Sequence, residues 1–116
     1  MSRDEATLLD LMDAARLVGT FVEGMDWEAF RSDVKTQAAV EHGLMIIGEA
    51  ATRLSDDFRD RHDEVAWRKA IGMRNRLIHA YDVVSLEVVW QTAIGDIPAL
   101  LSQAESLIPP RSRGPA

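Results

Sequence analysis

Apolar residues recur along this chain at steps of three and four positions, a spacing that predicts amphipathic helices. In the first segment, residues 4–22, these positions are Leu8, Leu11, Met12, Ala15, Val18 and Val22. Gly24 is expected to end this helix, and Asp26 is placed to cap a short helical turn. Trp27 and Phe30 lie in that turn, so their rings are predicted to close one end of the core.

A second long helix is predicted to begin near Ser32 or Asp33 and to continue to about Phe58. Its expected buried positions are Leu44, Ile47, Ala51, Leu54 and Phe58. Gly43 and Gly48 lie inside this helix, although each glycine costs about 1 kcal/mol of helix propensity relative to alanine. We therefore expect both glycines to mark close packing against another helix.

A charged run, residues 56–64, is predicted to be a solvated connection to a third helix from Trp67 to Tyr81. One broad face of this helix is apolar and comprises Trp67, Ala70, Ile71, Met73, Leu77, Ile78, Ala80 and Tyr81. The opposite face carries Arg68, Lys69, Asn75, Arg76 and His79. Arg74 falls within the apolar face, and His79 lies on the flank beside it.

The last helix is predicted to start at Ser85, a suitable N-cap, with Glu87 in the first turn where the helix dipole favours a carboxylate. Its inner positions are Val89, Ala93, Ile97, Leu100, Leu101, Ala104 and Ile108. Pro98 lacks a backbone N–H, so a kink is expected between Gly95 and Pro98.

Together these segments predict an all-α bundle of four main helices with one extra short helix, because no strand-like alternation occurs. The length of 116 residues and the 47% hydrophobic content fit one domain, residues 1–108. The last segment, residues 109–116, begins with two prolines in succession and is expected to be a flexible tail.

The formal net charge of -6 argues against a broad electrostatic grip on nucleic acid. Any RNA contact should therefore be local, near the positive charges of Arg68, Lys69, Arg74 and Arg76. The absence of cysteine excludes disulfides and thiolate chemistry. No apolar run is long enough to span a membrane and the charged N-terminus is unlike a signal peptide, so a cytoplasmic protein is expected.

The sequence contains no motif typical of a metal site or a cofactor site. His42, His62 and His79 are too far apart along the chain to resemble a helical metal-ligand pair, and no glycine-rich phosphate loop occurs. We expect neither a metal nor a cofactor, so any enzymatic activity must come from Arg74 and His79. Arg74 has two interpretations. It is a structural residue that extends to water or pairs with a carboxylate such as Glu49, or it is a fork that binds phosphate.

The sequence Arg74, four residues, His79, one residue, Tyr81 resembles the Arg-x4-His-x-Tyr signature of the HEPN superfamily. It is most similar to the branch of HepT-like toxins that pair with a minimal nucleotidyltransferase antitoxin. The resemblance covers almost the whole chain and includes the runs at residues 46–50, 67–68, 71–75 and 86–90. The chain differs from the family at residues 42–45, where it has His-Gly-Leu-Met and relatives often have Arg-Asn-Leu-Glu.

This resemblance implies an up-and-down four-helix bundle and a metal-independent endoribonuclease that acts as a toxin. The 2′-hydroxyl of RNA would be the nucleophile, His79 would transfer protons, and Arg74 would stabilise charge on the phosphate. Asn75 could orient the imidazole or the substrate, and Arg76 and Glu49 are candidates for support or RNA contact.

The resemblance also implies two partners besides RNA. One is a second copy of the chain, since two copies would place both motifs in a shared cleft. The other is the nucleotidyltransferase antitoxin, which would transfer AMP to Tyr81. Two alternatives remain open: a non-catalytic subunit that presents substrate to a nucleotidyltransferase, and a helical dimerisation module in which Arg74 is structural.

Overall fold

The computed structural model describes residues 2–108, and this part of the chain is helical with no strand. Its helices are α1 (Arg3–Val22), α2 (Trp27–Arg31), α3 (Val34–Arg53), α4 (Asp56–Arg61), α5 (Trp67–His79), α6 (Leu86–Gln91) and α7 (Ile97–Glu105). A π turn, Thr92–Asp96, joins α6 and α7 into one continuous rod. The all-α bundle is confirmed: α1, α3, α5 and the α6–α7 rod are its four main helices. The predicted tail, residues 109–116, lies outside the described residues.

Side-chain caps explain where most of these helices begin. The side-chain oxygens of Ser2, Asp26, Asp33, Ser55 and Ser85 each accept a hydrogen bond from the backbone N–H three residues later. The predicted caps of α2 and α6 are thus confirmed. After α1, Gly24 adopts a positive φ of 76°, a conformation that favours glycine.

Helix α3 is central, because it packs against α1 on one side and α5 on another. The two glycines predicted to permit close packing do so. A Cβ on Gly43 would lie 2.5 Å from Cγ2 of Val18 in α1, while Gly48 faces α5. At one end of the core Phe30 is fully buried against Trp90, with ring centroids 5.1 Å apart, and Trp27 packs beside it.

The prediction that the second helix continues to Phe58 is wrong. Helix α3 ends at Arg53, Leu54 is extended, and Ser55 caps the separate helix α4. The carboxylate of Asp4 reinforces this break, because it accepts hydrogen bonds from Ser55 N at 2.9 Å and Ser55 Oγ at 2.7 Å. The bundle therefore has two short helices instead of one, and part of the predicted charged connection is helical.

The motif helix is also shorter than predicted. It ends at His79, because Ala80 leaves helical geometry with φ −139° and ψ 37°, and Tyr81 begins a 3-10 turn. The predicted apolar face is buried at Trp67, Ala70, Met73 and Leu77 only. Ile78 and Tyr81 are instead 46% and 64% exposed, and Tyr81 lies beyond the end of α5.

The irregularity expected between Gly95 and Pro98 takes the form of the π turn Thr92–Asp96, and Pro98 follows in the first turn of α7. The missing N–H of a proline is tolerated there. None of the helices in residues 2–108 combines the length and apolar character that crossing a lipid bilayer requires.

Candidate active site on α5

The guanidinium of Arg74 is held at two of its nitrogens. Nη2 lies 2.8 Å from Oε2 of Glu49 on α3, and Nη1 donates a hydrogen bond of 2.9 Å to Oδ1 of Asn75. Within residues 2–108 the buried Nε atom has no hydrogen-bond partner. The side chains of Arg74 and Glu49 are 25% and 47% exposed, so the pair lies at the protein surface.

Gly48 allows Arg74 to occupy this position. A Cβ added to Gly48 would lie 2.6 Å from the carbonyl oxygen of Ala70 and closer still to Cβ of Arg74. Real Cβ atoms do not approach backbone so closely, so α3 and α5 can meet here only because residue 48 has no side chain. This close approach places Glu49, the next residue on α3, beside the guanidinium.

His79 is exposed at the last residue of α5. Within the described part of the chain its side chain takes part in no hydrogen bond or ion pair. Five residues separate it from Arg74, which corresponds to about 140° around the helix and about 7.5 Å along it. One copy of the chain therefore presents the guanidinium and the imidazole on different sides of α5.

The remaining predicted residues lie around this centre. Tyr81 is 64% exposed in the 3-10 turn that follows α5, and Arg76 is exposed on α5. Asn75 is engaged with Arg74 and not with His79, a contact that the sequence did not predict. The structure thus joins Arg74, Glu49 and Asn75 through direct contacts, while His79 and Tyr81 stand apart from them.

A shallow hollow of about 240 Å³ between α3 and α5 adjoins the ion pair. It is lined by His42, Met45, Ile46, Glu49, Arg53 and Ile78. Ile46 and Ile78 are 41% and 46% exposed, so an apolar patch lies beside Glu49. Sequence reasoning missed His42 and Arg53 as site residues, although their spacing from Ile46 and Glu49 places them on one exposed stripe of α3.

Comparison with known proteins identifies the family. A family model described as "Ribonuclease HepT-like" matches residues 11–107. A protein of Thermococcus cleftensis named "Probable ribonuclease HepT" is 42% identical over 100 residues, which cover 86% of this chain and 91% of that protein.

A Caldanaerobacter subterraneus protein, provisionally named an RNase, is 37% identical over 87 residues, which cover 75% of this chain and 78% of that protein. A Methanocaldococcus jannaschii protein, also provisionally named an RNase, is 32% identical over 103 residues, which cover 89% of this chain and 85% of that protein. No solved structure matches the chain significantly. On these matches, the chain belongs to the HepT-like ribonuclease family of the HEPN superfamily.

Proposed function

We propose that this protein is a metal-independent endoribonuclease and the toxin of a toxin–antitoxin pair, with Arg74 and His79 as its catalytic residues. The main support is the Arg74 guanidinium, which Glu49 and Asn75 hold at a site still 25% exposed. A guanidinium fixed before substrate arrives can stabilise developing charge without reorganising. The RNase names of the relatives agree with this proposal. RNA as substrate implies action in the cytoplasm.

The reaction follows from the substrate. The 2′-hydroxyl oxygen attacks the adjacent phosphorus, the bond to the 5′-oxygen of the next nucleotide breaks, and a 2′,3′-cyclic phosphate results. His79 accepts the hydroxyl proton as a general base or protonates the leaving oxygen as a general acid. Arg74 donates hydrogen bonds to the non-bridging phosphate oxygens, whose charge grows in the transition state. Asn75 is a positioning residue, because its side-chain oxygen holds Nη1 of Arg74.

A homodimer would complete this site. Attack and departure each require a proton transfer, but one chain supplies one His79, and that residue is about 140° around α5 from Arg74. Two copies packed through the patch of Ile46 and Ile78 would bury exposed apolar surface and bring two motif helices together. The cleft between them would then contain two histidines and two arginines.

Tyr81 would be the regulatory acceptor. Its hydroxyl oxygen would attack the α-phosphorus of ATP in the active site of the nucleotidyltransferase antitoxin, pyrophosphate would leave, and the phenolic proton would pass to solvent. The 64% exposure of Tyr81 makes it accessible to a second protein. AMP would add bulk and negative charge two residues after His79, where it would repel the RNA backbone.

One observation favours a second candidate function. Arg74 already has a carboxylate partner in its own chain, as expected of a structural ion pair in a non-catalytic subunit that presents substrate to a nucleotidyltransferase. Such a subunit would contribute a surface to a complex and would not cut RNA.

Incubation of the purified protein with a short RNA in the presence of EDTA separates these functions. We expect cleavage with a cyclic phosphate end, and no cleavage where a 2′-deoxynucleotide precedes the scissile bond. RNA that stays intact when the pure protein is in molar excess over it would support the non-catalytic subunit instead.

A further inference from the structure

A cleft of about 150 Å³ lies on the flank of α5 away from His79, between α5 and the α6–α7 rod. Its floor is formed by six buried apolar residues: Leu44, Ile47, Ala70, Met73, Ile97 and Leu100. Its rim is exposed at Lys69, Asp96 and Ala99. The cleft exists because α5 packs on α3 while the rod packs on α1, which leaves the two helices apart.

Two features distinguish this cleft from a packing defect. Both ends of the π turn, Thr92 and Asp96, line it, and π turns within helices occur frequently at functional sites. One hydrogen bond bridges the gap, from Ala66 N to Oε1 of Gln103 at 3.3 Å. This bond engages the oxygen of the Gln103 amide, and its Nε2 group makes no hydrogen bond within residues 2–108.

The polar groups at the rim indicate the type of ligand. The hydroxyl of Thr92 donates to the Val88 carbonyl and is satisfied. Lys69 and Asp96 make no hydrogen bond or ion pair within the described residues, so the rim offers one free ammonium donor and one free carboxylate acceptor. A ligand carrying a carbonyl beside an N–H, as an amide does, would satisfy both.

We propose that this cleft is a binding site for a small, mainly apolar amide. Its apolar body occupies the floor, its carbonyl accepts from Lys69, and its N–H donates to Asp96. An apolar cavity of about 150 Å³ accepts a molecule of roughly benzene size, which limits the buried part of the ligand to about six to eight non-hydrogen atoms. The bound molecule would bridge α5 and the α6–α7 rod.

The test uses 2-piperidone as probe and follows backbone amide shifts of the full chain by NMR. We expect saturable shifts at Lys69, Ala70, Met73 and Asp96, with a Kd of about 1 mM, as suits a ligand with so few atoms. N-methyl-2-piperidone, which lacks the N–H, should bind about fivefold more weakly, because one net hydrogen bond is lost. Failure of 2-piperidone to shift these amides, or equal binding of both probes, would overturn the proposal.

Two substitutions and one control locate the site. Ala99→Leu places a larger side chain at the rim and should weaken binding at least about tenfold, whereas Ala38→Leu makes the same change on the exposed surface of α3 and should leave the Kd unchanged. Asp96→Ala removes the carboxylate acceptor, so the two probes should bind this variant with equal Kd values. Unchanged binding in Ala99→Leu, or a retained preference for 2-piperidone in Asp96→Ala, would contradict the assignment.

Discussion

Arg74 on α5 and Glu49 on α3 form an ion pair in which Nη2 and Oε2 lie 2.8 Å apart. Because both side chains are partly exposed, the pair contributes little to stability, of the order of 1 kcal/mol or less. Its main consequence is geometric: the carboxylate and Asn75 fix the direction of the guanidinium. Each Nη atom carries a second N–H that these two contacts do not use, so the fork can still donate to a phosphate.

Gly48 should be essential to this geometry. In Gly48→Ala the new Cβ would collide with the carbonyl of Ala70 and with Cβ of Arg74, so α3 and α5 must separate. We expect a loss of roughly 1–3 kcal/mol in the free energy of unfolding, despite the better helix propensity of alanine. Chemical denaturation measures this change.

Gly72→Ala is the matched control, because a Cβ at Gly72 meets no atom within 4 Å. Gly72 lies in the middle of α5, so this variant should gain up to about 1 kcal/mol of stability. Equal effects of the two substitutions would show that the close approach of the helices has no energetic importance.

The exposed patch beside the ion pair should be a dimer interface. Ile78→Asp would place an unpaired carboxylate among apolar groups, so we expect the dimer dissociation constant to rise at least about tenfold. Analytical ultracentrifugation measures it. Val34→Asp, at an exposed position at the start of α3, should leave the dimer intact. A wild-type protein that is monomeric at micromolar concentration would exclude the shared cleft.

Tyr81 should carry AMP after co-expression with the nucleotidyltransferase antitoxin. Its exposure and its position after α5 make it accessible, so intact-mass spectrometry should show a heavier protein with the added mass on the Tyr81 peptide. Tyr81→Phe should have its unmodified mass and escape neutralisation by this route. A wild-type protein that is inhibited but keeps its unmodified mass would point to inhibition by complex formation alone.

The hydrogen bonds between Ser55 and Asp4 lower the pKa of the Asp4 carboxyl below its usual value of 3.8, the backbone N–H being the larger cause. A carboxyl whose pKa is lower in the folded state stabilises the fold above its unfolded pKa, and this contribution is lost as the pH falls through the folded pKa. Asp4→Asn imitates the protonated form, so it should be less stable than wild type at pH 7.

The difference in melting temperature between Asp4→Asn and wild type should shrink as the pH falls below about 4. Asp10→Asn, an exposed change on the same helix, should show no such dependence. A difference that is constant from pH 7 to pH 3 would contradict the role of the Asp4 carboxylate.

Local signals in the sequence were sufficient to predict much of the fold. Asp26 and Ser85 were predicted as caps because a capping side chain acts within its own turn, and Gly48 was predicted as a close contact because glycine is unfavourable inside a helix. The break at Ser55 was missed, although Ser55 caps α4 within its own turn, because Leu54 and Phe58 continue the apolar spacing of α3. The residue that reinforces the break, Asp4, is 51 positions away.

The site was predictable to a similar extent. Arg74 was singled out because a charge on an apolar face needs a partner, and Glu49 was named as a possible one. The contact of Asn75 with Arg74 depends on side-chain rotamers, which no spacing rule fixes. The cleft beside Met73 arises from the relative placement of two helices and has no local sequence signal.

The most direct test of the proposed function is the rate constant of RNA cleavage by His79→Ala relative to wild type, at equal concentration and with EDTA present. Because His79 is exposed and its side chain makes no hydrogen bond or ion pair within residues 2–108, the variant should keep its helix content by circular dichroism. We expect cleavage to slow by about 10²–10⁴-fold, the usual contribution of a general acid or base, while Lys35→Ala, an exposed change at the start of α3, stays close to wild type. A His79→Ala variant that cleaves RNA as fast as wild type would contradict the proposed mechanism.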